Sequence, residues 1–230
     1  MNMLAGRPQP RKIAIVGGGI SGMAAAYALG KNNQVTLFES NDRLGGHAKT
    51  VLAGKSGLQP VDMGFIVFNY ANYPLLTSLF DELSVPVVKS NMSFGASVRE
   101  GRLEYGLANL NSVFAQPRNA LDPRFLRMCW DILKFNSKGL VTARSNNFTV
   151  GEFLLELGTG NWFRDYYLLP LSGAIWSTPK EQIMKFPALS MMQFFENHAL
   201  LGINGQHQWY TVEGGSIQYV NRLHARLRKQ

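Results

Sequence analysis

The apolar positions of the chain change their spacing twice. After a polar, proline-containing lead-in through residue 11, the run KIAIV (Lys12–Val16) ends abruptly in glycines. A short apolar run closed by glycine predicts a strand buried in a parallel sheet. SGMAAAYALGK follows it, and its small residues predict a helix that can pack close to that sheet. QVTLFE (Gln34–Glu39) predicts the second strand, and the chain returns to extended form around QPVDMGFIVF.

From about Tyr70 the period lengthens. YPLLTSLFDELSV predicts an amphipathic helix, and NMSFGASVREGRLEYGL predicts two short strands around a Glu-Gly turn. DPRFLRMCWDILKFNSKGL predicts a longer helix with Asp122 as N-cap and Pro123 in its first position. Thr149 and Glu152 have the spacing of a capping box, so TVGEFLLELG starts another helix. NWFRDYYLL and LSMMQFFENHALL extend the helical region, and QHQWYTVEGGSIQYVNRLHARL reads as a strand, a Gly-Gly turn and a helix. The expected class is therefore α/β: a Rossmann-type domain (1–68), a mostly helical α+β insert forming a substrate domain (69–205), and a return to the first domain (206–230).

Composition narrows the function classes. The net charge of +8 comes from scattered basic residues, apart from NRLHARLRKQ at the end of the chain. No recognition-helix, RNA-sheet or zinc-finger pattern accompanies them, which argues against nucleic acid. The charge suits anionic partners such as phosphate cofactors or an acidic lipid surface, so peripheral membrane contact is an expectation. A single cysteine, Cys129, lies in an amphipathic helical stretch and reads as an inert core thiol in a reducing, cytoplasmic setting. The four histidines have no metal-ligand spacing. No run reaches transmembrane length, and no oligomeric state can be read.

The chemistry concentrates between residues 17 and 64. Gly17, Gly19 and Gly22 form G-x-G-x-x-G between a predicted strand and a predicted helix. In that pattern Gly17 permits the tight turn, Gly19 lets backbone approach a pyrophosphate, and Gly22 lets the helix pack on the strand. The helix N-terminus offers free N–H groups, and the Ser21 hydroxyl adds a donor. Glu39, 22 residues after Gly17, is placed to accept hydrogen bonds from a ribose diol and argues against a 2′-phosphate. A second cluster, RLGGH, supplies Arg43, Gly45 and Gly46 only four residues later. A nicotinamide cofactor gains little from it, whereas the longer FAD benefits from a second close backbone approach. Arg43 would offset diphosphate charge.

This arrangement resembles the flavin-containing amine oxidase superfamily, with its phytoene-desaturase-type and protoporphyrinogen-oxidase-type relatives. VDMGFIVFNYANYPLLTSLF, LLPLSGAIWSTP, FFENHALL and QWYTVEGGSIQYVNRL look like its bacterial predicted NAD/FAD-binding branch. The resemblance implies FAD as cofactor, held by Gly17, Gly19, Ser21, Gly22, Glu39, Arg43, Gly45 and Gly46, with VDMG passing beside the flavin ring and so adding Gly64. It implies hydride removal from an apolar substrate, a lipid acyl group or an amine. Where the superfamily often has arginine, this chain has His47. The superfamily's members are longer, so the chain is expected to be an N-terminal portion that associates readily and holds FAD weakly. The alternatives are an NAD-binding reductase or a truncated, non-catalytic fragment. No catalytic residue emerges: Trp176, Tyr166, Tyr167 and His198 read as packing residues.

Overall fold

The structure is a computed structural model that describes residues 9–202 and 207–229. It divides into two compact units, one formed by the chain up to Asn91 with Gln208 onward, the other by Met92–His207. The boundary expected at 205/206 lies outside the described residues.

The first unit opens with β1 (Lys12–Val16), α1 (Ile20–Gly30) and β2 (Gln34–Phe38). The strands pair in parallel, Lys12 opposite Gln34 through Val16 opposite Phe38. α1 packs on them through Met23, Ala26 and Tyr27, all buried. Burial in both strands alternates, however, so the expectation of strands covered on both faces is not met within the described residues. Val16 is 87% exposed and Phe38 54%. The physical reason is that α1 covers one face only, and Ile13 and Ile15 point that way.

β3 (Thr50–Ala53) and β4 (Gln59–Asp62) then form an antiparallel hairpin, of which only the second strand was expected from the apolar pattern. α2 (Pro74–Glu82) starts on proline, which loses nothing there because a first-turn N–H has no intrahelical acceptor. Its Phe80, with Leu83 and Val85 beyond it, joins Met23 and Phe68 in one apolar core. That packing keeps residues 69–91, including β5 (Val87–Ser90), with the first unit instead of the insert.

The second unit starts with the hairpin β6 (Gly95–Val98) and β7 (Leu103–Gly106), turning at Arg99, Glu100 and Gly101, all left-handed. α3 (Leu110–Val113) is capped by Asn109, and a 3-10 turn (Pro117–Leu121) leads into α4 (Pro123–Arg144). As expected, the Asp122 carboxylate caps α4, accepting from the Arg124 N–H at 2.9 Å. α5 (Val150–Leu157) carries the expected capping box, Thr149 and Glu152 each accepting the other's N–H, and ends on left-handed Gly158. α6 (Asn161–Phe163) runs through a π-turn, Arg164–Leu168, into α7 (Leu169–Trp176), followed by α8 (Lys180–Ile183) and α9 (Ala188–Asn197). Phe125, Phe135, Phe153, Phe163 and Phe195 are fully buried together at the centre.

Pro170 explains the local irregularity. It has no N–H to give the Tyr166 carbonyl one turn back. The buried Tyr105 hydroxyl donates there instead, at 2.6 Å.

The chain then rejoins the first unit. β8 (Trp209–Val212) pairs antiparallel with β5, Val87 opposite Val212, and Tyr210 exchanges backbone bonds with Phe68 at 2.8 and 2.9 Å. α10 (Ile217–Leu227) lays Tyr219, Val220 and Leu223 against α1. The first unit is therefore closed by residues from both ends of the described chain.

Candidate dinucleotide site

β1 delivers the first glycine cluster to the top of the parallel pair. The Gly17 N–H donates to the Phe38 carbonyl at 2.8 Å, tying the turn to the end of β2. Its φ of +102° is a conformation that a side chain would strain. A methyl group on Gly22 would overlap the Gly17 carbonyl oxygen, so this glycine sets how closely α1 lies on the turn. Gly19 is the N-cap of α1; no side chain caps that helix and no acidic residue stands in its first turn. The exposed Ser21 lies in the same turn. A helix start of this kind is suited to an anion.

Glu39 follows β2 directly. One carboxylate oxygen accepts the Gly18 N–H at 2.6 Å, and the other accepts the Asn41 N–H at 2.9 Å and the Asn41 side-chain amide at 2.7 Å. Those bonds favour the ionised form, the backbone bond from Asn41 first and that from Gly18 second, and bring the pKa down to about 2. Glu39 therefore carries a full negative charge at neutral pH and organises the first loop with it.

The second glycine cluster lies directly against the first. The Gly45 N–H donates to the Gly18 carbonyl at 2.8 Å, and Gly19 and Gly45 form a parallel bridge. A methyl group on Gly46 would stand 3.0 Å from the Gly19 Cα. One on Gly45 would be 2.7 Å from the Ala48 carbonyl oxygen, and both residues have positive φ. Arg43 folds back to donate to the Gly46 carbonyl at 2.9 Å. Gly64 backs onto the same segment, where a Cβ would overlap the His47 carbonyl oxygen, which also accepts the Phe65 N–H at 3.1 Å. All nine residues named from the sequence thus belong to this unit, and the two clusters form one backbone surface.

Sequence reasoning missed the brace behind it. Asp62 accepts the Ser216 N–H with both oxygens at 2.9 Å and the Ser216 hydroxyl at 2.6 Å. The Thr50 hydroxyl donates to the same carboxylate at 2.6 Å and accepts the Ile217 N–H at 3.0 Å. An acid and a hydroxyl at the start of α10 satisfy its free N–H groups and complement the helix dipole. Val220 of α10 in turn stands where a Gly45 side chain would reach, at 3.0 Å. The available signal was the aspartate of VDMG, two residues before Gly64 and 154 before Ser216.

A family model for the NAD(P)-binding Rossmann-like domain matches residues 15–83. Residues 15–83 are a Rossmann-like domain. Over 80 residues the chain is 41% identical to coproporphyrinogen III oxidase of Mycobacterium tuberculosis, covering 33% of this chain and 17% of that protein. In fold it is similar to putrescine oxidase in complex with putrescine, with a TM-score of 0.66 at 20% identity over 96% of this chain and 50% of the other. Cyclohexylamine oxidase from Brevibacterium oxydans shows the same relation, with a TM-score of 0.61 at 22% identity over 96% of this chain and 49% of the other. The chain spans about a sixth of the curated relative and about half of the solved oxidases. What is shared with the solved oxidases is a fold.

The residues considered for catalysis sit in the second unit as packing groups. Trp176 stacks on Phe186, Tyr167 is buried against Phe163, and His198 lies 4.0 Å from the Phe194 ring. Tyr166 packs edge-on against Trp162. Burial raises the pKa of the half-buried Cys129 thiol above its ordinary value, which disfavours the thiolate. Among the described residues no group of His, Cys, Asp and Glu is arranged to hold a metal. No described helix is long and apolar enough to cross a membrane.

Proposed function

We propose that this chain provides the FAD-binding part of an oxidoreductase of the amine-oxidase-like superfamily, which removes hydride equivalents from an apolar substrate, a lipid acyl group or an amine. The observation that carries the reading is the bridge between Gly19 and Gly45, which merges two glycine loops into one side-chain-free surface at the start of α1. One loop is enough for a single pyrophosphate contact. Two in register suit a long dinucleotide lying extended along the protein.

The residues fit that group. Gly17, Gly19, Ser21 and Gly22 would hold its phosphates at an uncapped helix start. Glu39, ionised, would face a ribose diol and repel a 2′-phosphate. Arg43, Gly45, Gly46 and Gly64 would line the rest. When bound, the flavin supplies the two-electron acceptor. The chain's own part is to present bare backbone, place one negative and one positive side chain, and keep the loops rigid through Asp62 and Ser216. Small-molecule substrates and a peripheral membrane contact, suggested by the net charge of +8, complete the reading.

The test is cofactor capture by the purified chain. With FAD in excess, weak binding is expected, with the flavin absorbance bands, and NADPH at similar concentration should not displace it. Gly19→Val should abolish capture while far-UV circular dichroism is unchanged. Binding of NADH or NADPH in preference to FAD would replace this reading with that of a nicotinamide-binding reductase.

A further inference from the structure

α4 has two apolar faces, and only one of them is used by the fold. Phe125, Met128, Phe135, Gly139 and Ala143 are buried in the second unit's core. On the opposite side Leu126, Trp130, Leu133 and Val141 are all exposed, Trp130 by 65% and Val141 by 73%. Their spacings of four, three and eight residues keep them on one stripe of the helix, about 22 Å long at 1.5 Å per residue, with Ser137 filling the gap. Single exposed apolar residues need no explanation, but a continuous row that includes a tryptophan does.

The charges beside the stripe indicate what covers it. α4 carries Arg124, Arg127, Lys134, Lys138 and Arg144 and one acid, Asp131. Asp131 is fully buried, turned inward to the Gly160 N–H at 2.8 Å and to Arg127 at 3.0 Å. Arg124 pairs with Asp122, and Arg144 lies 3.9 Å from Glu196. Lys134 and Lys138 have no carboxylate partner among the described residues. By helical position, Arg127, Lys134 and Lys138 form a row along one flank of the stripe. The outer side of the helix is therefore apolar with a basic border and no acid of its own.

We propose that α4 docks on an anionic lipid bilayer, with Trp130, Leu126, Leu133 and Val141 entering the headgroup region and Lys134 and Lys138 meeting lipid phosphates. Charge complementarity selects this occupant, since a helix with a tryptophan-bearing apolar row and a lysine and arginine flank lies in the plane of such an interface. The inference gives a surface to the membrane contact suggested above and rests on that part of the functional reading alone.

The test is co-sedimentation of the full chain with vesicles of phosphatidylcholine alone and of phosphatidylcholine with phosphatidylglycerol. Binding is expected only to the anionic vesicles, with a blue shift of tryptophan emission and release at high salt. Trp130→Glu should lower the partition coefficient at least about tenfold. Lys134→Glu with Lys138→Glu should weaken binding to a similar extent and reduce its salt dependence. Circular dichroism should stay unchanged in both variants, and FAD capture, measured on the same samples, separates this inference from the cofactor reading. Absence of binding, equal binding to neutral vesicles, or unchanged binding by both variants would overturn it. So would concentration-dependent dimers abolished by Trp130→Glu with no vesicle binding, which would assign the stripe to a second copy of the chain.

Discussion

At the scale of single residues, the loop is held by positions where an added atom has no room. Gly22→Ala would set a methyl on the Gly17 carbonyl, and a helix fixed to its sheet has little freedom to retreat. The expected result is loss of FAD capture and a destabilisation of about 1–3 kcal/mol, read from flavin content and the thermal midpoint. Glu39 gives a pH-dependent case. Its folded-state pKa, about 2, lies below its ordinary value of 4.5. Its stabilising contribution is therefore complete above about 4.5 and disappears as pH falls towards 2. The thermal midpoint should fall between about pH 4.5 and 2 by an amount that Glu39→Gln removes, while cofactor retention by the folded chain holds level until the pH nears 2. Thermal scans read the first and flavin fluorescence on release the second.

Elements are held by polar partners that apolar periodicity does not report. The turn from α6 to α7 depends on the Tyr105 hydroxyl at the carbonyl that Pro170 leaves free. Burial raises the pKa of that hydroxyl, so it stays a donor at neutral pH. Tyr105→Phe leaves a buried acceptor unsatisfied and should cost about 1–3 kcal/mol, seen as a lower urea midpoint at unchanged slope. Pro170→Ala would restore an N–H to the helix and should recover part of that loss in the double variant. At α5, Thr149→Ala removes one half of a capping box and should cost about 1 kcal/mol by the same measurement.

For the whole molecule, the consequential feature is the uncovered face of the parallel pair. Ala14, Val16, Thr36 and Phe38 are all exposed, and Val16 lies directly opposite Phe38. A bare strand face of this kind favours association between chains. Light scattering of the purified chain should rise with concentration. Val16→Thr with Phe38→Ser should suppress it, with a change in thermal midpoint of no more than a few degrees because neither side chain leaves the core. Unaltered scattering would assign association to another surface.

Much of this protein was already legible in its sequence, wherever the information is local. The strand, glycine turn and helix of residues 12–30 follow from an apolar run broken by residues that tolerate positive φ. The caps at Asp122 and Thr149 follow from side chains that reach N–H groups within three residues. The two glycine clusters and the acid between them are visible as spacing alone, and the structure brings the clusters together at the Gly19–Gly45 bridge. What tertiary structure decided lies between distant residues. β3 and β5 carry no strong alternation, and each became a strand through its partner, β4 nearby and β8 more than a hundred residues on. Asp62 acquires its role only because the fold brings Ser216 to it. The outward row on α4 has the same helical spacing as a core row, and only packing shows which row stays in water. Periodicity reports that a face is apolar, whereas burial depends on what the rest of the chain sets against it.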